Sequence, residues 1–436
     1  MFVGRDEELQ FLNRHFAREG SQVLVVYGAR GVGKTRLLRE FTKDRESVSY
    51  AARACSDREQ RFLWGRELKE EGYDIPDYPE YEEIFAAILP DTQEKKVLVL
   101  DEFQHLIKGE GHFFEALISF LENRRMSRPI MVVLLSSASG WVENSLVGRL
   151  GGAAAYISGF LKLRELTFPE ITELFYGYDT ADAMCHYAIL GGIPGLWCSF
   201  SKELNARENI IQNLLKKESR LYEEMSVYLA EELREPAVYN TILAAVAAGN
   251  CKLNDIYLHT GFPRAKISVY LKNLMELDLV EKIYAGVYRI QNPYVRFYFR
   301  FLFPNLSLLE KSAPEDFYRL KVEKDLPAFM EESYRQICRQ LFEKELPTGL
   351  TVSPWMGKDY CIDMVGVDGD NRRVVGACSY SRMMTVEDCA GLLSHARKAK
   401  ILADRVLLYS EKGFTEELKL AQDQGKLELR SIIGTE

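Results

Sequence analysis

The sequence predicts an α/β protein: a parallel sheet covered by helices on both faces, then a helical region, then a second mixed α/β unit. Three observations predict it. In the first 165 residues, short runs of Val, Ile and Leu alternate with stretches of helical spacing. One such run, VLVVY, leads directly into the glycine-rich octet GARGVGKT and then into TRLLREFTK, which has helical periodicity. Beyond about residue 315, strand and helix patterns alternate again. With 436 residues the chain has room for several domains of roughly 100–200 residues.

Taken in order, VLVVY (23–27) is the first strand, SVSYAARA (47–54) the second, VLVLD (97–101) the third and MVVLLSS (131–137) the fourth. AAAYISGF (153–160) is a weaker fifth. These make a first domain over residues 1–165. Residues 166–235 read as helical throughout, with apolar residues three and four apart in PEITELF and ENIIQNLLKKESRLYEEM. Residues 236–305 hold three helical stretches, a hairpin-like EKIYAGVYRI and the aromatic-dense QNPYVRFYFRFLF, whose rings are expected in a core. The polar KSAPED marks a boundary, and 315–436 reads helix, strand, turn (DGDN), strand, helix, strand, helix, strand.

Composition excludes several classes. Hydrophobic residues are 47% and charged residues 28%, ordinary for a globular chain. A net charge of −8 argues against a surface coated in basic residues for nucleic acid, though a local basic patch is compatible with it. The eight cysteines are scattered singly with no CxxC pair, so reduced thiols are expected rather than a zinc site or disulfides. The charged start MFVGRDEELQ lacks a signal-peptide core, and no apolar run nears the ~18 residues of a membrane span. A cytoplasmic protein with no membrane partner is the expectation.

Gly28-x-x-x-x-Gly33-Lys34-Thr35 is a P-loop in strand–loop–helix context. Its residues Gly28, Ala29, Arg30, Gly31, Val32 and Gly33 wrap backbone N–H groups around phosphate oxygens, and the helix start adds its positive end. Lys34 is expected to neutralise the β- and γ-phosphates of a bound nucleotide (ATP, with ADP as the product held), and Thr35 to place its hydroxyl on Mg²⁺. VLVLDEF ends a strand in two acids, where open α/β sheets bind ligands. Asp101 can hold Mg²⁺ through water, and Glu102 can orient or activate the attacking water. Ser137, at the end of the next strand, is placed either to touch the γ-phosphate or that water, or to cap the following helix.

FVGRDEEL, GARGVGKT, VLVLDEF and LVGR (146–149) together resemble the archaeal-type AAA+ ATPases related to signal-transduction (STAND) NTPases. The resemblance implies a P-loop NTPase core of the AAA+/ASCE type with a helical lid. It implies that Val3, Gly4 and Arg5 line the adenine pocket. GGIPGLW (191–197) looks like the family's lid element, which would put Pro194 on adenine; on the residues alone it is a helix stop. Arg149 stands where the family has an arginine after a glycine, in a segment usually reading PLYGR and here reading SLVGR. It is a γ-phosphate sensor by resemblance and a solvated arginine by its own context.

NDIYLHTGFPRAKISVYLKNLMELDLVEKIYAGVYRI reads as a winged helix-turn-helix, with TGFP as the turn and YAGVYRI as the wing. Lys252, Arg264, Lys266, Lys272, Lys282 and Arg289 stand against Asp255, Glu276, Asp278 and Glu281, an excess of two positive charges. Lys266 and Lys272 are candidate contacts to double-stranded DNA, and a protein contact is equally compatible. The C-terminal pattern resembles the restriction-endonuclease-like PD-(D/E)xK domain. Asp363 fits the first acid, but Ala377 stands where the second acid belongs and Ser379 where the lysine belongs. One carboxylate is a poor Mg²⁺ site; Glu331, Glu332 or Asp359 would have to compensate. The domain therefore reads as a degenerate scaffold for DNA or a partner.

The function expected is an ATP-binding, ATP-hydrolysing switch that couples nucleotide state to DNA, a protein partner or a second copy of the chain. The alternatives are a non-hydrolysing protein that holds nucleotide structurally and, further off, a metal-dependent nuclease.

Overall fold

The computed structural model describes residues 3–88, 95–107, 112–122, 129–222, 224, 235–283, 286–357, 360–422 and 426–433. The chain divides into two compact units, one of Phe2–Glu165 with Met275–Asp278, the other of Leu166–Leu274 with Leu279–Glu436.

The first unit is built on five strands: β1 (Gln22–Tyr27), β2 (Ser47–Ala51), β3 (Lys96–Asp101), β4 (Ile130–Ser136) and β5 (Gly159–Lys162). Their order across the sheet is β2-β3-β4-β1-β5, and every pair is parallel. Period-2 side-chain alternation explains the near-continuous apolar runs. Val23, Val25, Leu98, Leu100, Val132 and Leu134 face a layer with Trp64, Phe85 and Phe113. Leu24, Val26, Val97, Val99, Met131 and Val133 face a layer with Leu12, Leu37 and Phe41. A strand buried on both faces has no room for polar alternation. Trp64 stacks flat on Tyr50 of β2, with centroids 4.7 Å apart.

The fifth strand begins later than its sequence suggests. Residues Gly151–Tyr156 form a short helical turn, and pairing with β1 starts at Gly159. Two glycines and three alanines offer no β-branched surface, so the extended stretch waits for Phe160 and Leu161. The lack of a side chain at Gly159 lets β5 approach Phe11 and His15 of the first helix, α1 (Asp6–Phe16).

The second unit opens with helices at Phe168–Leu174, Thr180–Leu190, Pro194–Trp197 and Ala206–Ile210, the last continuing to Leu215. Capping boxes start two of them, Thr167 with Glu170 and Asn205 with Glu208. The expected long helical run breaks at Lys216, whose backbone is extended; its continuation through 225–234 lies outside the described residues. Helices Pro236–Ala247, Leu253–Thr260 and Arg264–Glu276 follow, then an antiparallel pair, β6 (Val280–Lys282) and β7 (Tyr288–Ile290). Phe297, Phe299 and Phe301 are buried.

A separate mixed sheet closes the chain: β8 (Val352–Met356), β9 (Cys361–Val367), β10 (Arg373–Ser379), β11 (Arg405–Ser410) and β12 (Leu427–Arg430). The order is β12-β11-β10-β9-β8, parallel from β10 to β12 and antiparallel from β8 to β10. Strand β8 was not foreseen. It carries Pro354 and has a register shift between Ser353 and Trp355, and an edge strand with a bulge is where a sheet accepts proline. The helix Leu326–Glu345 ties this sheet to the start of the unit: Gln340 accepts from the Phe168 amide at 2.8 Å and donates to the Tyr187 hydroxyl at 3.1 Å.

Candidate active site

The carboxyl ends of β1, β3 and β4 meet at one edge of the first sheet, as Tyr27 pairs with Ser136 and Leu100 with Leu134. Beyond β1 the chain turns through Gly28–Gly33 into helix α2 (Lys34–Thr42). Gly31 and Gly33 hold φ of 80° and 106°, in the left-handed region that favours glycine. A side chain at Gly28 would meet the Leu163 carbonyl at 2.5 Å. Gly33 caps α2 without a side-chain hydrogen bond, so the first-turn N–H groups point into an open concavity.

That concavity is a cleft of about 230 Å³ lined by Arg30, Gly31, Gly33, Lys34, Thr35, Arg36, Asp101 and Glu102. Lys34 is buried, and its ammonium donates to the carbonyls of Gly28 at 2.7 Å and Ala29 at 3.2 Å. Burial pushes its pKa down, while Glu102 and Asp101 pull it back up. The Thr35 hydroxyl donates to Asp101 Oδ2 at 3.1 Å. Asp101 Oδ1 accepts the Glu102 amide at 2.9 Å, and burial together with the Glu102 charge raises the Asp101 pKa.

Glu102 has φ of 52°, rare for a residue with a side chain. Its Oε2 accepts from Ser137 twice, from the hydroxyl at 2.8 Å and from the amide at 3.2 Å, and also from the side-chain amide of Gln104. Burial alone would raise the Glu102 pKa, but the Gln104 and Ser137 hydrogen bonds and the Lys34 charge outweigh it and hold it below the usual value. The site thus offers an anion seat, a hydroxyl–carboxylate pair and a second carboxylate kept ionised beside them.

Residues 2–199 match the family described as "ATPase domain predominantly from Archaea". Residues 298–391 match one described as "Archaea bacterial proteins of unknown function". Residues 2–199 therefore form an ATPase domain of that archaeal family. An uncharacterized protein of Methanocaldococcus jannaschii is 25% identical over 390 residues, covering 86% of each chain. An uncharacterized ATP-binding protein of the same organism is 41% identical over 46 residues, 11% of this chain and 78% of that one. Among solved structures, a Walker-type ATPase of Pyrococcus abyssi superposes with a TM-score of 0.53 at 19% identity, covering 69% of this chain and 96% of that chain. The last is a likeness of fold.

For this ATPase the structure brings Arg30, Gly31, Gly33, Lys34, Thr35, Asp101 and Glu102 to one cleft. Gly28, Ala29 and Val32 form the loop without lining it. Ser137 sits behind Glu102; its hydroxyl holds that carboxylate and does not cap the helix Ser139–Trp141. Arg5 is buried and donates to Glu8 at 3.0 Å and to the carbonyls of Val32 at 3.1 Å and Arg164 at 2.7 Å. It clasps the back of the P-loop to the exit of β5; it does not line the cleft, nor do its half-buried neighbours Val3 and Gly4. Arg149 is exposed on the helix Val147–Leu150 and lies outside the lining as well. Pro194 belongs to the second unit, where it opens the helix Pro194–Trp197.

Elsewhere in that unit Lys266 lies over the rings of Phe262 and Tyr270, at 5.1 and 5.6 Å, whereas Lys272 is exposed. Asp363 pairs with Arg335 at 3.3 Å and accepts the Cys378 amide at 2.9 Å. Glu331 accepts from the Tyr380 and Ser381 amides, and Glu332 pairs with Arg289 and Arg296. Asp359 lies outside the described residues. Among those residues no three His, Cys, Asp or Glu side chains are grouped to hold a metal ion, and no helix is long and apolar enough to cross a membrane. Sequence reasoning missed Gln104. Its one signal in the sequence was a polar side chain two positions after Glu102; the fold then buries it to 3% exposure.

Proposed function

We propose that the protein is a Mg²⁺-dependent ATP hydrolase acting as a molecular switch. The observation that carries this reading is the Glu102 carboxylate, gripped by Ser137 and held beside an uncapped helix start that presents Lys34 and Thr35. In this reading the phosphates of ATP lie on the α2 amides, and Lys34 turns its ammonium from the Gly28 and Ala29 carbonyls onto them. Thr35 and Asp101 fit Mg²⁺: both offer hard oxygens, they meet at 3.1 Å, and burial together with the neighbouring Glu102 charge raises the Asp101 pKa, which a bound cation would reverse. Mg²⁺ bound there would neutralise phosphate oxygens. Glu102 takes a proton from water as the water oxygen attacks the γ-phosphorus and the bond to the ADP oxygen breaks.

The second unit would read the nucleotide state. Its three helices and two-stranded hairpin have the order of a winged helix-turn-helix, and Arg264 and Lys272 are exposed on its last helix. Pro194 is the proposed adenine contact of the lid, and Arg149 the proposed γ-phosphate sensor. The C-terminal sheet would serve as a scaffold rather than a nuclease, because an arginine and an amide already engage Asp363.

ATP turnover with and without duplex DNA tests the reading. Lys34→Ala should abolish ATP binding in calorimetry; Glu102→Gln should keep binding and lose at least about 100-fold in turnover. Stimulation by DNA, lost at high salt and in the Lys266→Ala/Lys272→Ala double variant, would identify DNA as the partner. Unstimulated turnover would turn the search to a protein. Wild type that retains ADP and turns over no faster than Lys34→Ala would overturn the hydrolytic reading.

A further inference from the structure

Three donors reach the Glu102 carboxylate, and all three land on one oxygen. The Ser137 amide and hydroxyl and the Gln104 side-chain amide converge on Oε2. Among the described residues Oε1 receives none of them. Glu102 lines the cleft; Gln104 and Ser137 do not. The carboxylate is therefore gripped from behind, with one oxygen fixed and the other left for the cleft.

Gln104 is the unexplained member of this set. It is 3% exposed and opens the four-residue helix Gln104–Ile107, directly after the turn that carries Glu102 at φ of 52°. Its amide orientation follows from chemistry: Nε2 must face the carboxylate, since Oε1 turned that way would set two acceptors against each other. That leaves Gln104 Oε1 buried without a hydrogen-bond donor. An unsatisfied buried amide oxygen is unfavourable, so a hydrocarbon would suit this position better unless the donor matters. The Asp101 side chain fixes the Glu102 amide, and Ser137 approaches from β4. Gln104 supplies a grip from the segment that follows Glu102.

We infer that Gln104 is a positioning residue for hydrolysis: by holding Oε2 with Ser137, it aims Glu102 Oε1 at the attacking water. This rests on the hydrolytic reading above. Gln104 touches neither ATP nor the water, so it acts on kcat and leaves KM alone.

The test is steady-state turnover of full-length wild type, Lys34→Ala, Glu102→Gln, Gln104→Met and Gln104→His, with ATP affinity measured by calorimetry on each. Gln104→Met keeps the shape and removes the donor; kcat should fall about tenfold or more with KM and affinity unchanged. Gln104→His restores an N–H at similar reach and should recover part of the rate. Added to Glu102→Gln, Gln104→Met should cost nothing more, because its effect passes through that carboxylate. A Gln104→Met enzyme with wild-type kcat overturns the inference and leaves the hydrolytic reading standing. So does a variant that loses ATP affinity along with rate, or one whose defect adds in full to that of Glu102→Gln. Wild type no faster than Lys34→Ala sinks both.

Discussion

Glu102 and Lys34 are each held in a state that an isolated residue avoids. The left-handed backbone at Glu102 costs about 1 kcal/mol, offset locally by the amide bond to Asp101. Lys34 is a buried ammonium whose described partners are neutral carbonyls. Both sites gain from a phosphate: it replaces dipoles by an anion at Lys34 and gives the Glu102 geometry its use. His186 is a third such residue, without such a use. It is fully buried, both ring nitrogens lack a hydrogen-bond partner, and the rings of Tyr178, Trp197 and Phe200 stand edge-on around it at 4.9, 5.8 and 4.8 Å. Burial pushes its pKa down to about 3 from 6.5. Below pH 6.5 the unfolded chain therefore binds a proton that the folded chain refuses, and stability falls as pH falls. Between pH 7.5 and 5 this one residue should remove about 2 kcal/mol. His186→Phe should flatten that dependence in urea unfolding; an unchanged slope would show that His186 protonates in place.

Among the elements, the turn Gly191–Gly192 shows how backbone contacts set a glycine. Gly191 ends the helix Thr180–Leu190 with φ of 63°, and its carbonyl takes the Trp197 indole N–H at 2.8 Å. At Gly192 a side-chain carbon would lie 1.7 Å from the Leu166 carbonyl oxygen, while its own carbonyl accepts the Leu166 amide at 2.8 Å. Neither backbone can yield, so Gly192→Ala should destabilise the second unit by about 3 kcal/mol, read as a lower urea midpoint. A midpoint shift under about 0.5 kcal/mol would mean that the two segments slide apart freely. GGIP was legible in the sequence as a helix stop; the close approach to Leu166 was not, because it joins residues 26 positions apart. The same limit runs through the fold. Strands β1, β3 and β4 were plain because burial on both faces makes them uniformly apolar, and the P-loop because its spacing is chemistry. Strand β8 was hidden by Pro354, the start of β5 was blurred by the alanines before it, and Gln104 was hidden by the fact that a polar residue after an acidic pair looks solvated until the chain folds over it.

At the scale of the molecule, the second unit is joined by one charged knot. Glu332, on the helix Leu326–Glu345, pairs with Arg289 of β7 and with Arg296 of the aromatic segment, and Arg296 also donates to Ser333 at 3.0 Å. Arg289 pairs in turn with Glu281 of β6. Hairpin, aromatic segment and C-terminal domain thus share a carboxylate. Arg296 carries the energetic weight: it is nearly buried, burial lowers its pKa, and its ring contact to Phe329 at 4.6 Å gives no anion in exchange. Removing Glu332 would leave two arginines facing each other without their common partner. Full burial of such a pair would put the loss at about 3–5 kcal/mol. Glu332 is 37% exposed, so solvent screens part of it and about 2 kcal/mol is expected for Glu332→Ala. The loss should appear in the unfolding of the second unit alone, with ATP affinity in the first unit unchanged. The double variant Glu332→Leu/Arg296→Met should recover much of it, since an apolar replacement of both partners removes the buried charge along with its pair. If the double variant is no more stable than Glu332→Ala, Arg296 is solvated in the folded protein, and the knot does not hold the hairpin to the C-terminal domain.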